Sequence, residues 1–141
     1  EILLERQYRH PLRAKLWEVP AGLLDIPGED PLVGAQRELA EEADLVAQRW
    51  DVLLDIFNSP GCSSESIRIF LARGLSQTQT PFDREDEEAD FEYQWVKLDD
   101  AVTAALQGRL HNASTVCAVL ATEAARRREW DLREVSSPCL R

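Results

Sequence analysis

Residues 29–45 read E-D-P-L-V-G-A-Q-R-E-L-A-E-E-A-D-L, and the rest of the chain is organised around them. Asp30 followed by Pro31 predicts a helix start. The aspartate can accept from free backbone N–H groups, and proline fits the first helical position, where its missing N–H costs nothing. Apolar Leu32, Ala35, Leu39 and Ala43 recur at helical spacing and predict the buried face, with the glutamates off that stripe. Glu38, Glu41 and Glu42 are spaced i, i+3 and i+4, so a helix carries all of them on one side. Like charges at that spacing cost roughly 0.2–0.5 kcal/mol per pair. A divalent cation would offset the cost, but charge runs are usually solvated faces, and spacing alone does not decide between the two.

Outward from this helix the pattern alternates between strand and turn. Residues 2–8 predict a strand, closed by a turn over Arg9, His10, Pro11 and Leu12. Residues 15–20 predict a second, broken by Pro20-Ala21-Gly22. Residues 47–57 predict a strand, and Asn58-Ser59-Pro60-Gly61 a turn, because Pro fixes φ and Gly permits φ > 0. Residues 65–74 place Ile67, Ile69 and Leu71 against Arg68 and Phe70, a half-buried strand paired with its predecessor as a hairpin. Residues 75–90 are polar and end in an acidic run. Residues 91–97 predict another strand. A short helix runs from Asp99 or Asp100 to about Leu106. Asn112 caps a last helix over 113–128, with Ala113, Val116, Val119 and Leu120 inward and Arg126–Arg128 at the negative end of its dipole. The tail from Glu129 has no strong signal. Mixed strands with one early helix and two late ones imply an α/β sandwich around a mixed sheet, in one domain.

The bulk numbers set outer bounds. The chain has 141 residues, 44% hydrophobic and 30% charged, which suits one domain with a real core. A net charge of −10 argues against nucleic acid and anionic membrane as partners. No apolar run is long enough for a membrane helix, and no signal-peptide pattern is present. Cys62, Cys117 and Cys139 are scattered, with neither disulfide nor zinc spacing, so a reducing cytoplasm is the expectation. The chain opens at Glu1 within an apolar run, so N-terminal residues are expected to be missing.

At this point the sequence resembles a known family. The Nudix signature is G-x5-E-x7-R-E-U-x-E-E-x-G-U, with U a bulky apolar residue. Glu29, Arg37, Glu38, Leu39, Glu41, Glu42 and Leu45 match it. Two positions depart. The opening glycine falls at Leu23, with Gly22 one residue earlier. The late glycine is Asp44, where a left-handed helix end is expected at a cost on the order of 1 kcal/mol. Neither departure touches a carboxylate. The resemblance implies a Nudix-type α/β/α sandwich and hydrolysis of a diphosphate linked to another group.

The surroundings narrow the substrate. Residues 16–25, L-W-E-V-P-A-G-L-L-D, are similar to the lead-in of bacterial, actinobacterial-type ADP-ribose pyrophosphatases. Residues 59–65, S-P-G-C-S-S-E, resemble a second motif of that group. The resemblance implies Glu38, Glu41 and Glu42 as carboxylate ligands of two or more Mg²⁺ or Mn²⁺ ions, completed by the carbonyl of Ala21. It implies Arg9, with Pro60, Gly61 and Glu65, as the substrate-binding set. It implies Glu88, with Glu87 second, as a late carboxylate that activates water. Expected partners are a nucleoside diphosphate sugar and a second copy of the chain. A related substrate, or a domain that only senses its ligand, are the competing expectations.

Overall fold

The computed structural model describes residues 1–79 and 92–140. Strand β1 (Ile2–Arg9) turns through a short 3-10 segment, His10–Leu12, into β2 (Ala14–Glu18). A loop leads to helix α1 (Pro31–Ala43), then the long strands β3 (Leu45–Phe57) and β4 (Ser66–Gln77). Strand β5 (Glu92–Val96) and helices α2 (Leu98–Leu106) and α3 (Ala113–Arg127) follow. Every element foreseen from the sequence is present, with ends within about three residues. The α/β class holds. The described strand pairs are all antiparallel and form two sheets, β2-β1-β5 and β3-β4, where one mixed sheet was expected.

Helix α3 joins the two sheets. Val119 packs with Leu4, Ala101 and Leu110 against the first, and Ala118 and Ala125 pack with Leu53 and Ile69 against the second. The inward face of α3 is Thr115, Ala118, Val119, Thr122 and Ala125; Ala113 and Leu120, expected inside, are exposed. The threonines are tolerated there because each hydroxyl is satisfied. Thr115 Oγ1 accepts from Val19 N at 3.0 Å, and Thr122 Oγ1 donates to the Ala118 carbonyl at 2.7 Å. The Val19 bond ties the start of the 19–30 loop to α3.

Helix α1 starts and stops as its sequence requires. Asp30 accepts from Leu32 N at 2.8 Å, a cap of about 1 kcal/mol. Asp44 ends the helix at φ 54°, ψ 35°, the left-handed position where glycine is the usual residue. One expectation is corrected here. The buried positions of α1 are Gly34, Leu39 and Glu42, so one of the glutamates lies on the inward face.

The tail from Glu129, which carries no sequence signal, is clamped. Val52 N donates to the Arg133 carbonyl at 2.9 Å. Arg68 donates to the carbonyls of Ser137 and Pro138 at 2.9 and 2.7 Å. The Arg68–Asp55 ion pair beneath is bidentate at 2.7 and 3.0 Å, and Arg133 joins it at 2.8 Å. Among the described residues no helix is long and apolar enough to cross a membrane.

Candidate active site

The loop after β2 and the C-terminal half of α1 meet at Ala21 and Gly22. Glu42 is 6% exposed, and its Oε2 accepts from the Ala21 N–H at 3.2 Å. One helical turn earlier, the Glu38 carboxylate lies against Gly22. A Cβ at Gly22 would fall 2.0 Å from Glu38 Cδ and 2.2 Å from its Oε1. Two carboxylates of α1 and the backbone of Ala21 therefore share one small region. Gly22 is required there for space rather than for its backbone angle, which explains a glycine one position before the signature's.

Arg37 organises the outer side. Its Nε and Nη2 donate to the Glu29 carboxylate at 3.2 and 3.3 Å. Its Nη1 lies 2.9 Å from both Glu41 Oε2 and Glu38 Oε1. Glu29, with its side chain 7% exposed, anchors the fork from the loop. These contacts hold the Arg37 pKa well above the usual arginine range, with Glu29 the largest cause and Glu41 next. Glu38 is pushed up from the ordinary carboxylate value, first by burial and then by the like charges of Glu41 and Asp25, against the pull of Arg37.

Among the described residues, no three His, Cys, Asp or Glu side chains are grouped so as to hold a metal ion by themselves. The reason is visible in the pairing: Glu38 and Glu41 lean on Arg37, while Glu42 turns to Ala21. The donor set still fits a hard divalent cation, being all oxygen and incomplete, as expected where substrate oxygens and water fill the remaining positions. Glu38 and Glu42 are the carboxylates at this loop that would hold it.

Arg9 lies at the end of β1, with its side chain 42% exposed. Its Nε and Nη2 donate to Glu18 Oε1 and Oε2 at 2.9 and 2.7 Å. Glu18 was not singled out in the sequence, yet it is 2% exposed. The strand register reveals it: Glu5 pairs with Glu18 across the β1–β2 ladder, and Glu5, Gln7 and Arg9 share a face. Pro60 and Gly61 line an open depression with Phe57, Cys62, Ser63 and Ser64. Glu65 accepts from Asn58 Nδ2 at 3.1 Å and closes that turn. Glu87 and Glu88 lie outside the described residues. The residues flanking that stretch are tied to the end of α1: Thr78 N donates to the Asp44 carbonyl at 2.8 Å, and the Tyr93 hydroxyl donates to the Glu42 carbonyl.

This arrangement, an acidic helix of signature spacing docked on a glycine-bearing loop, has known counterparts. The NUDIX domain profile matches residues 1–119, and the chain belongs to the Nudix family, whose hydrolases generally use divalent metal ions. The chain is 44% identical over 118 residues to an ADP-ribose pyrophosphatase of Mycobacterium tuberculosis, covering 84% of this chain and 56% of that protein. It is 35% identical over 119 residues to a methanol dehydrogenase activator of Bacillus methanolicus, covering 84% of this chain and 63% of that protein. It is 34% identical over 120 residues to an ADP-ribose pyrophosphatase of Bacillus subtilis, again 84% and 63%. The chain thus spans between about half and two thirds of the length of these relatives. A solved structure described as an ADP compounds hydrolase superposes with a TM-score of 0.74 at 22% identity, covering 91% of this chain and 68% of that one, which supports the fold.

Proposed function

We propose that this chain is the catalytic part of a divalent-metal-dependent pyrophosphatase that hydrolyses ADP-ribose to AMP and ribose 5-phosphate. The observation that carries the reading is the meeting of Glu38 and Glu42 at Ala21–Gly22, which brings two carboxylates of α1 to the same short stretch of loop. The two relatives named as ADP-ribose pyrophosphatases support the substrate.

Mg²⁺ or Mn²⁺ on Glu38, Glu41, Glu42 and the Ala21 carbonyl, in two or more positions, supplies neutralisation of the diphosphate charge and lowers the pKa of water. The protein's own share is positioning. Arg37 holds Glu38 and Glu41 in reach of the site. Arg9 presents guanidinium N–H groups to phosphate oxygens, a match of planar donors to paired acceptors. Glu88 accepts the proton of the attacking water, with Glu87 the second choice. The bonds from Thr78 to the Asp44 carbonyl and from Tyr93 to the Glu42 carbonyl support this assignment, because the described residues on either side of that stretch are tied to the end of α1. Pro60, Gly61 and Glu65 complete the substrate-binding set. The partner is a small nucleotide sugar, and the assembly is a cytoplasmic homodimer.

The test is AMP release from ADP-ribose with Mg²⁺ or Mn²⁺, compared with other nucleoside diphosphate sugars. Release from ADP-ribose with the highest kcat/KM supports the reading. Binding of ADP-ribose without AMP release, in saturating metal, favours a ligand sensor instead.

A further inference from the structure

Glu18 has no role in the chemistry above, yet the protein keeps its carboxylate almost fully buried, 2% exposed. An interior carboxylate is costly unless it is paired and hydrogen-bonded. Across the ladder it faces Glu5, itself 0% exposed, so the hairpin sets two carboxylates side by side inside the protein. Apolar residues of similar size would serve stability as well or better, because a buried ion pair is weak evidence of net stabilisation. The pair is also unequal in exposure. Glu18 is buried, whereas the Arg9 side chain remains 42% exposed. Glu18, Glu5 and Glu42 all act on the Arg9 guanidinium, with Glu18's hydrogen bond the largest influence.

The geometry of the pair is directional. Arginine has five N–H groups in a rigid plane. Glu18 takes the Nε edge, through Nε at 2.9 Å and Nη2 at 2.7 Å. That leaves the outer edge, both N–H groups of Nη1 and the second of Nη2, without a hydrogen bond among the described residues. The outer edge is itself a two-pronged donor that matches two oxygens of a phosphate. With the inner edge gripped by a buried group, the plane and direction of the outer edge are fixed before any ligand arrives. Less rotamer freedom is then lost on binding.

We propose that Glu18 is a positioning residue that orients Arg9 for the diphosphate of the substrate. The proposal rests on the reading that Arg9 receives the diphosphate, and it adds that a buried carboxylate behind the arginine sets the binding geometry.

The experiment is calorimetric binding of ADP-ribose in EDTA, which does not depend on turnover, beside steady-state kinetics in Mg²⁺. The wild type, Glu18→Gln, Arg9→Lys and the double variant are compared, each checked for folding by circular dichroism and Tm. Glu18→Gln keeps the side-chain shape and is expected to weaken ADP-ribose binding about tenfold. Its KM should rise in step while kcat changes less than about threefold. Arg9→Lys should weaken binding by at least as much, because an ammonium has no fork to orient. Adding Glu18→Gln to Arg9→Lys should then cause little further loss. A folded Glu18→Gln with wild-type affinity, while Arg9→Lys binds weakly, overturns the positioning role and leaves the Arg9 reading standing. Fully additive losses in the double variant overturn it too, because Glu18 would then act without Arg9. Wild-type affinity in Arg9→Lys overturns the Arg9 reading and this proposal together. Should Glu18→Gln fail to fold, Glu18→Asp keeps the charge but shortens the reach; weakened binding supports the proposal and unchanged binding overturns it.

Discussion

Replacing Gly22 by alanine separates folding from metal binding. The added Cβ would sit 2.0 Å from Glu38 Cδ and 2.2 Å from Cγ and Oε1. Ordinary carbon contacts are about 3.5–4.0 Å, so the carboxylate end of Glu38 must retreat by about 1.5 Å. It can do so cheaply. The clash is with the far end of a flexible side chain, 19% exposed, and an off-rotamer adjustment costs about 0.5–1.5 kcal/mol. For a chain of this length, that is a fall in Tm of roughly 2–6 °C. The cost to the site is larger, because a ligand misplaced by about 1 Å can lose on the order of 10²-fold in rate. Gly22→Ala is therefore expected to stay folded, to bind Mn²⁺ at least about tenfold more weakly, and to lose about 10²-fold in kcat/KM. Calorimetric Mn²⁺ titration, thermal melting and AMP release read these separately. In a Glu38→Ala background the same substitution should do little. Wild-type Mn²⁺ affinity and rate in Gly22→Ala would refute the placement of Glu38 against the loop. A collapse in Tm with no soluble protein would show that the backbone, not the carboxylate, gives way.

Three further outcomes follow from the same geometry. Asp44→Gly should raise stability by about 1 kcal/mol in urea melts, since φ 54° strains any side chain, with no change in rate. Asp55→Ala leaves the Arg68 guanidinium, 7% exposed, without its bidentate partner and should destabilise by about 3–5 kcal/mol, with faster proteolysis of the tail. Asp55 also sets an acid limit. Its pKa is held below 3.8, chiefly by the Arg68 hydrogen bonds and against burial. A depressed carboxylate contributes stability that is present above the unfolded value and lost as pH falls through the lower folded one. The stability gap between wild type and Asp55→Asn should accordingly be constant above about pH 5 and shrink below the unfolded value of 3.8.

Local chemistry made most of the fold legible in the sequence. Asp30-Pro31 and Asn112 marked helix starts that the structure bears out, with Asn112 Oδ1 accepting from Thr115 N at 2.9 Å. Asp44 was foreseen as a left-handed helix end from the signature alone. Most of the failures concern long-range partners. Glu42 was placed off the buried stripe, because helical spacing does not reveal which backbone N–H a side chain will meet 21 residues away. Thr115 and Thr122 were passed over for Ala113 and Leu120, since apolar character predicts burial only where hydroxyls lack partners. The tail looked featureless because its bonds are made by its backbone carbonyls, which carry no sequence signature. Glu18 was hidden in a motif read for its neighbours, and only the strand register shows it behind Arg9.

The central claim is that Glu42, buried against Ala21, turns an acidic helix into a metal site for diphosphate hydrolysis. Glu42→Gln keeps the shape and the acceptor oxygen for the Ala21 N–H, so folding should be preserved while a charged ligand is lost. The direct measurement is AMP release from ADP-ribose by wild type and Glu42→Gln at saturating Mg²⁺. Release by the wild type, and a fall of at least about 10³-fold in the folded variant, is the predicted result. Undiminished release by Glu42→Gln would contradict the account.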